Sequence, residues 1–293
     1  MLAIEKLIWV THSVRDVQTR IALEKFYLDI FAAQTFWDAR PVQGLERDET
    51  LILIGKLMII PIAPMETGSG IGRLLVQNGH RFLAIALKVP DVKQADAHLA
   101  RHGMKRVYFD PVFYNTFFWT DGAESCHTPY EICQVEMPND LRLRPSWSPD
   151  WWRDEHPLGI EKLSSVATVV RDLDAAKKFY RDVFEFKPLH ERIIESEGAK
   201  VAAFWASDFI FEVMQTMGKG TLLDDYLVKY PDGGVYSVNF KVKSPPKAAE
   251  YLKSKGLRLV GDPRSRFSID PRDAFGAVFT FVGEELPNDP RAR

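Results

Sequence analysis

This sequence predicts an α+β fold of two similar domains, and three doubled stretches carry that prediction. "IEKLIWVTHSVRDV" begins at Ile4 and "IEKLSSVATVVRDL" at Ile160. "KFYLDIF" at 25–31 is answered by "KFYRDVF" at 178–184. "FLAIALKVPDVKQADAHLARHGM" from Phe82 is answered by "YSVNFKVKSPPKAAEYLKSKGL" from Tyr236. Self-similarity on this scale marks a repeated unit of supersecondary structure.

Each element follows in order. The opening stretch of each copy alternates apolar and polar residues, as a half-buried strand does, and ends in V-x-D. A helix comes next, on which K-F-Y-x-D-h-F sets its aromatic and apolar positions on one face. Ten residues separate Asp16 from Phe26 but only seven separate Asp172 from Phe179, so the first helix gains a turn. "LILIGKLMIIPIAP" from Leu51 and "AAFWASDFIFEVMQ" from Ala202 read as strands. The Phe82 and Tyr236 stretches each give a strand, a proline-containing helix start, an amphipathic helix and a closing glycine, Gly103 or Gly256. The domains are expected at 1–137 and 158–293. Residues 138–157 between them, rich in proline, read as a linker packed by three tryptophans.

Lys+Arg 38 against Asp+Glu 40 leaves a formal net charge of −2 and no basic field to hold nucleic acid. The longest apolar runs, such as "LMIIPIAP", fall far short of the ~18 residues needed to cross a bilayer. Glu5 and Lys6 interrupt the first apolar stretch, so no signal peptide is expected. Cys126 and Cys133 are the only cysteines, which suits a reducing compartment. The expectation is a cytoplasmic monomer or homodimer whose partner is a small molecule, with no membrane or nucleic acid.

A strand ending in V-x-D, a helix bearing K-F-Y-x-D-h-F and three further strands, all repeated, resemble the glyoxalase / bleomycin-resistance / extradiol-dioxygenase superfamily, also called vicinal oxygen chelate. The resemblance implies tandem domains, each pairing two βαβββ modules around a cup that holds a divalent metal. It places the ligand positions at Trp9, Ile60, Ala84 and Glu131 in the first domain. In the second they fall at Ser165, Glu212, Ser237 and Thr280. One carboxylate survives in each set, and serine or threonine neighbours do not hold a transition metal. No metal cofactor is therefore expected. The alternative is a divalent metal held by Glu131 with His80, His127 or Cys133. His12, three positions after Trp9, points to the opposite face of its strand and is expected in the packing layer with a hydrogen-bond partner, as is Thr168.

By strand position Trp9, Phe113, Phe117, Trp119 and Tyr130 line the first cup. Burial there would raise the pKa of Glu131 and make it a general acid or base. The structural alternative pairs it with Lys88. Glu212 is the second catalytic candidate, in a polar cup where Ser165, Ser237, Asn239 and Thr280 suit hydrogen bonds to a substrate. In the first cup Trp9, Lys88, Trp119 and Tyr130 are the expected substrate contacts. The resemblance implies an enzyme acting on a small, partly apolar or aromatic substrate, glyoxalase-, dioxygenase- or isomerase-like, with the metal site largely lost. The alternatives are a metal-free binding or sequestering protein of the bleomycin-resistance type, and a scaffold whose own aromatics fill its cups.

Overall fold

The computed structural model describes residues 2–39, 46–68, 70–108, 116–134, 137 and 140–292. The first half runs β1 (Lys6–Ser13), α1 (Val17–Phe31), β2 (Gln34–Ala39), β3 (Arg47–Ile54), β4 (Leu57–Pro64), α2 (Gly70–Asn78), β5 (Arg81–Lys88), α3 (Val92–Arg101), β6 (Arg106–Tyr108), β7 (Phe117–Thr120) and β8 (Tyr130–Cys133). A short α4 (Asp150–Asp154) follows. The second half repeats the order as β9 (Ile160–Val169), α5 (Leu173–Asp182), β10 (Lys187–Ile194), β11 (Ala199–Ala206), β12 (Phe209–Thr216), α6 (Leu222–Lys229), β13 (Gly234–Val242), α7 (Pro245–Ser254), β14 (Leu259–Asp262), β15 (Arg266–Ile269) and β16 (Val278–Val282).

Each half forms one eight-stranded sheet, in the order β2-β3-β4-β1-β5-β8-β7-β6 and β10-β11-β12-β9-β13-β16-β15-β14. These are two α+β domains, each of two βαβββ modules. The modules join through the antiparallel pairs β1–β5 and β9–β13. The aspartate of V-x-D proves to be a helix cap: Asp16 accepts from the Thr19 amide at 2.7 Å and Asp172 from the Ala175 amide at 3.0 Å. The extra turn is there too, with 15 residues in α1 and 10 in α5.

The helix-covered faces of the two sheets share one hydrophobic core. Its aromatic contacts come in matched pairs across the halves. Tyr27 of α1 lies 5.9 Å from Phe279 of β16, and Tyr180 of α5 lies 6.5 Å from Tyr130 of β8. Phe31 meets Phe279 at 5.1 Å, and Phe184 meets Tyr130 at 4.5 Å. Fully burying such a ring is worth about 1.5–3 kcal/mol, so the two halves hold each other firmly.

His12 and Thr168 face this shared core, and each crosses to the other half. The His12 ring bonds the Tyr27 hydroxyl through Nδ1 at 2.7 Å and the Phe275 carbonyl through Nε2 at 3.0 Å. A carbonyl can only accept, so Nε2 carries the hydrogen and Nδ1 accepts from the tyrosine. Burial lowers the His12 pKa to about 4, which keeps the ring neutral. Thr168 instead bonds Thr128 at 2.5 Å.

The repeat also runs through the stretch read as a linker. "MPNDLRLR" from Met137 matches "LPNDPRAR" from Leu286. The described residues of each strap their own cup, with Met137 and Leu141 against the lining of the first and Leu286 against Ala203 and Ile210 in the second. Arg142 grips Asp140 through two nitrogens and reaches the Lys56 carbonyl at 3.0 Å. Arg291 grips Asp289 likewise and reaches the carbonyls of Leu163 at 2.9 Å and Ser164 at 2.8 Å. Of the three tryptophans, Trp152 is buried and donates to the Phe31 carbonyl at 2.8 Å, and Trp147 packs against the core. Trp151 stays exposed.

Candidate functional site

The first cup is built on alternation. Odd-numbered residues of β3 and even-numbered residues of β4 face it, bringing Leu51, Leu53, Met58, Ile60 and Ile62 together with Trp9, Phe117 and Trp119. In the strand register Trp9 pairs with Ala86, and Ala86 with Glu131. The small alanine lets the two large side chains meet over it, and the Trp9 indole Nε1 donates to Glu131 Oε2 at 3.2 Å. Trp119 lies opposite Glu131 on β7.

Glu131 is only 5 % exposed. Burial is the main force on its carboxyl and pushes its pKa up to about 8; Glu49 adds to the rise, while Arg47 and the Trp9 and Trp119 indoles oppose it. Arg47 and Glu49 form a buried ion pair at 2.7 Å on β3. Sequence reasoning missed both. The signal was available, since the alternation that turns Leu51 and Leu53 inward also turns Glu49 and Arg47 inward.

Other residues assigned to this cup fare differently. Tyr130 is not in it: one position before Glu131 on a strand, it points to the opposite face and bonds the Tyr180 hydroxyl at 3.2 Å in the shared core. Lys88 sits at the rim with its ammonium 3.1 Å from Glu5. Cys133 is buried in the lining, and His127 is exposed in a turn at φ 58°. Phe113 lies outside the described residues.

The second cup is polar and closed on itself. Glu212 of β12 is 1 % exposed. Arg192 of β10 lies 2.6 Å from Oε1, and the Ser165 hydroxyl donates to Oε2 at 2.5 Å. Asn239 Nδ2 donates both to Ser165 Oγ at 2.8 Å and to Glu212 Oε2 at 3.2 Å, and Ser237 donates to Asn239 Oδ1 at 2.9 Å. Thr280 and Ser268 bond each other at 2.9 Å. Burial alone would raise the Glu212 pKa, but Arg192 and Arg266 outweigh it and hold the carboxyl below its usual range. The side chains expected to serve a ligand therefore serve one another. Arg192 and Arg266 were not found from the sequence, because only the folded sheet brings Arg192 onto Glu212 and the charge of Arg266 near it.

The residues at the family's ligand positions do not fit a divalent metal. The first set offers one neutralised carboxyl among apolar side chains, and the second commits both Glu212 oxygens to internal donors. Among the described residues no three His, Cys, Asp or Glu side chains are grouped to hold a metal ion. A cavity of about 850 Å³ lies between α6, His80 and residues 270–276. Its Asp270 and Asp273 are already paired with Arg272 and Arg258, so the buried carboxyl of Glu131 remains the stronger chemical candidate.

Residues 162–279 match the model of the Glyoxalase/Bleomycin resistance protein/Dioxygenase superfamily. Ethylmalonyl-CoA/methylmalonyl-CoA epimerase of Cereibacter sphaeroides is 28% identical over 102 residues, 35% of this chain and 76% of that protein. Mitochondrial methylmalonyl-CoA epimerase of Mus musculus is 27% identical over 103 residues, 35% of this chain and 58% of that protein. A triple mutant of 4-hydroxymandelate synthase from Streptomyces coelicolor aligns over 97% of this chain and 95% of its own, with a TM-score of 0.73 and 11% identity. That likeness is one of fold. No helix among the described residues is long and apolar enough to cross a membrane.

Proposed function

We propose that this chain, whose residues 162–279 match the glyoxalase/bleomycin resistance protein/dioxygenase superfamily model, uses its first cup as the active centre of a proton-transfer enzyme in which Glu131 needs no metal. One observation carries the reading: a carboxyl buried among aromatic side chains whose pKa is pushed up to about 8. At pH 7 roughly one molecule in ten is then ionised, and that fraction is a much stronger base than an ordinary carboxylate.

The ionised carboxyl takes a proton from a carbon beside a carbonyl, and the C–H electron pair moves onto the carbonyl oxygen as an enolate. The same carboxyl, now protonated, returns the proton to the other face of that carbon once the enolate has turned over, or to a conjugated carbon. The product is an epimer or a positional isomer, and no oxidant or reductant is consumed. Trp9 and Trp119 steady the ionised state, and the apolar lining receives the hydrocarbon or aromatic part of the substrate. The charges here occur as ion pairs, Arg47 with Glu49 and Lys88 with Glu5, which suits an uncharged carbonyl compound better than an anion. The curated relatives are named as epimerases of CoA esters, and a carbon-acid proton transfer is the step proposed to be shared with them.

Solvent-deuterium exchange tests this directly. Enolisable aryl ketones and α-diketones in deuterium oxide should lose their α-proton NMR signal faster with the protein than in buffer. Glu131→Gln should slow that exchange by about 100-fold or more with its melting temperature kept near wild type. Undiminished exchange in the variant would refute the assignment. The close packing of the lining favours a second reading, metal-free sequestration, and binding without any exchange would select it.

A further inference from the structure

The second cup is electrically inverted relative to a metal site. Ligands for a metal turn lone pairs inward, whereas here the groups around Glu212 turn hydrogens inward. Ser237 donates to Asn239, Asn239 donates to Ser165, and Ser165 donates to the carboxylate. The chain of donors ends on Oε2, and Arg192 takes Oε1 at 2.6 Å. We propose that Arg192 has taken the place of the divalent metal in the second cup, as a cation built into β10 that neutralises Glu212 and shuts the cup to metal ions.

Three further observations agree. Glu212 is the one carboxylate left at the four ligand positions, and a carboxylate buried to this depth requires a partner cation. Thr280, at the position of the last ligand, is occupied with Ser268 instead of facing Glu212 alone. Arg266, ion-paired with Glu197 at 2.5 Å, adds a second positive charge near Glu212. A divalent ion entering beside Glu212 would meet two guanidinium groups and a carboxylate whose two oxygens already accept three hydrogen bonds. The first cup, by contrast, keeps its carboxyl neutral by burial, with Arg47 acting on Glu131 while it is ion-paired with Glu49.

The test restores ligands with and without the arginine. Ser165→His and Thr280→Glu, together with native Glu212, rebuild three donors at the ligand positions. Cobalt(II) titration, read by visible absorption and equilibrium dialysis, should show binding at least about 30-fold tighter once Arg192→Met is added, since imidazole and carboxylate donors are then unopposed. Equal affinity with and without Arg192, or no cobalt bound by either folded protein, would overturn the proposal. A second measurement needs no new site. Arg192→Met alone should lower the urea midpoint by stranding Glu212, and adding Glu212→Gln should recover most of the loss. Failure of Glu212→Gln to recover it would equally overturn the proposal.

Discussion

Two glutamates face the two cups, both buried, and they titrate in opposite directions because their counter-charges differ. Arg47 beside Glu131 is already engaged by Glu49, so burial dominates and the proton is retained; Glu212 meets Arg192 and Arg266 and stays ionised. The consequence for stability has a definite sign. The Glu131 pKa rises from an ordinary 4.5 to about 8, so between those values the folded state holds the proton more tightly than the unfolded chain. Its contribution is complete below 4.5 and is lost as pH rises toward 8, at no more than about 1.4 kcal/mol per pH unit. Urea midpoints should therefore fall between pH 5 and pH 8, and Glu131→Gln should remove that part of the fall. A slope unchanged in the variant would mean that another group titrates. Both glutamates were legible in the sequence from the order of strands. Alternation could turn Arg47 into the cup, but which carboxylate Arg47 or Arg192 would meet depends on the folding of the sheet across 84 and 20 positions. Tyr130 was misplaced although simple alternation from Glu131 already assigned it to the other face.

At the scale of elements, the doubled strands and helices were readable because each carries its own periodicity, and the longer α1 could be counted from the spacing of aspartate and phenylalanine. The straps escaped notice because they have no period, only a short motif with an aspartate and an arginine two residues apart. Their grip is nonetheless specific. Asp289 accepts from Arg291 and from Lys162 at 2.9 Å, and these bonds overcome burial and lower its pKa to about 2. That stabilisation is present above the ordinary carboxylate range and is lost as pH falls toward 2. Asp289→Ala removes the carboxylate that Arg291 and Lys162 of β9 share, leaving them with the Leu163 and Ser164 carbonyls and with Glu285, and loosens the strap that carries Leu286 against Ala203 and Ile210. It should cost about 1–3 kcal/mol in urea unfolding at pH 7, as removing a buried charged partner does, and speed protease cleavage near residue 287. A variant as stable and as resistant as the parent would show the strap to be ornamental.

At the scale of the whole molecule, the two halves complete one another's cores through the matched pairs of Tyr27 with Phe279 and Tyr180 with Tyr130. The sequence announced two domains but not their mutual dependence, because residues on the packing face look alike whether they cover their own sheet or a neighbour's. Chains cut at residue 148 should therefore behave as complementary fragments. Each half expressed alone should be insoluble or expanded, and the two co-expressed should purify together as a folded pair. Two independently soluble, compact halves would contradict the shared core.

That shared core also sets a timetable for synthesis. When residue 144 leaves the ribosome, the partner for Tyr27, Phe31 and Tyr130 has not yet been made. At about 5–20 residues per second the 135 residues from there to Phe279 take roughly 7–27 s, during which Tyr27 and Phe31 stand without that partner. A nascent chain in that state is a client for chaperones and a seed for aggregation, and crowding by neighbouring ribosomes on one message would make it worse. The tether resolves the delay. Once the second half emerges it is held within reach of the first at an effective concentration on the order of millimolar, so docking no longer depends on how much protein the cell makes.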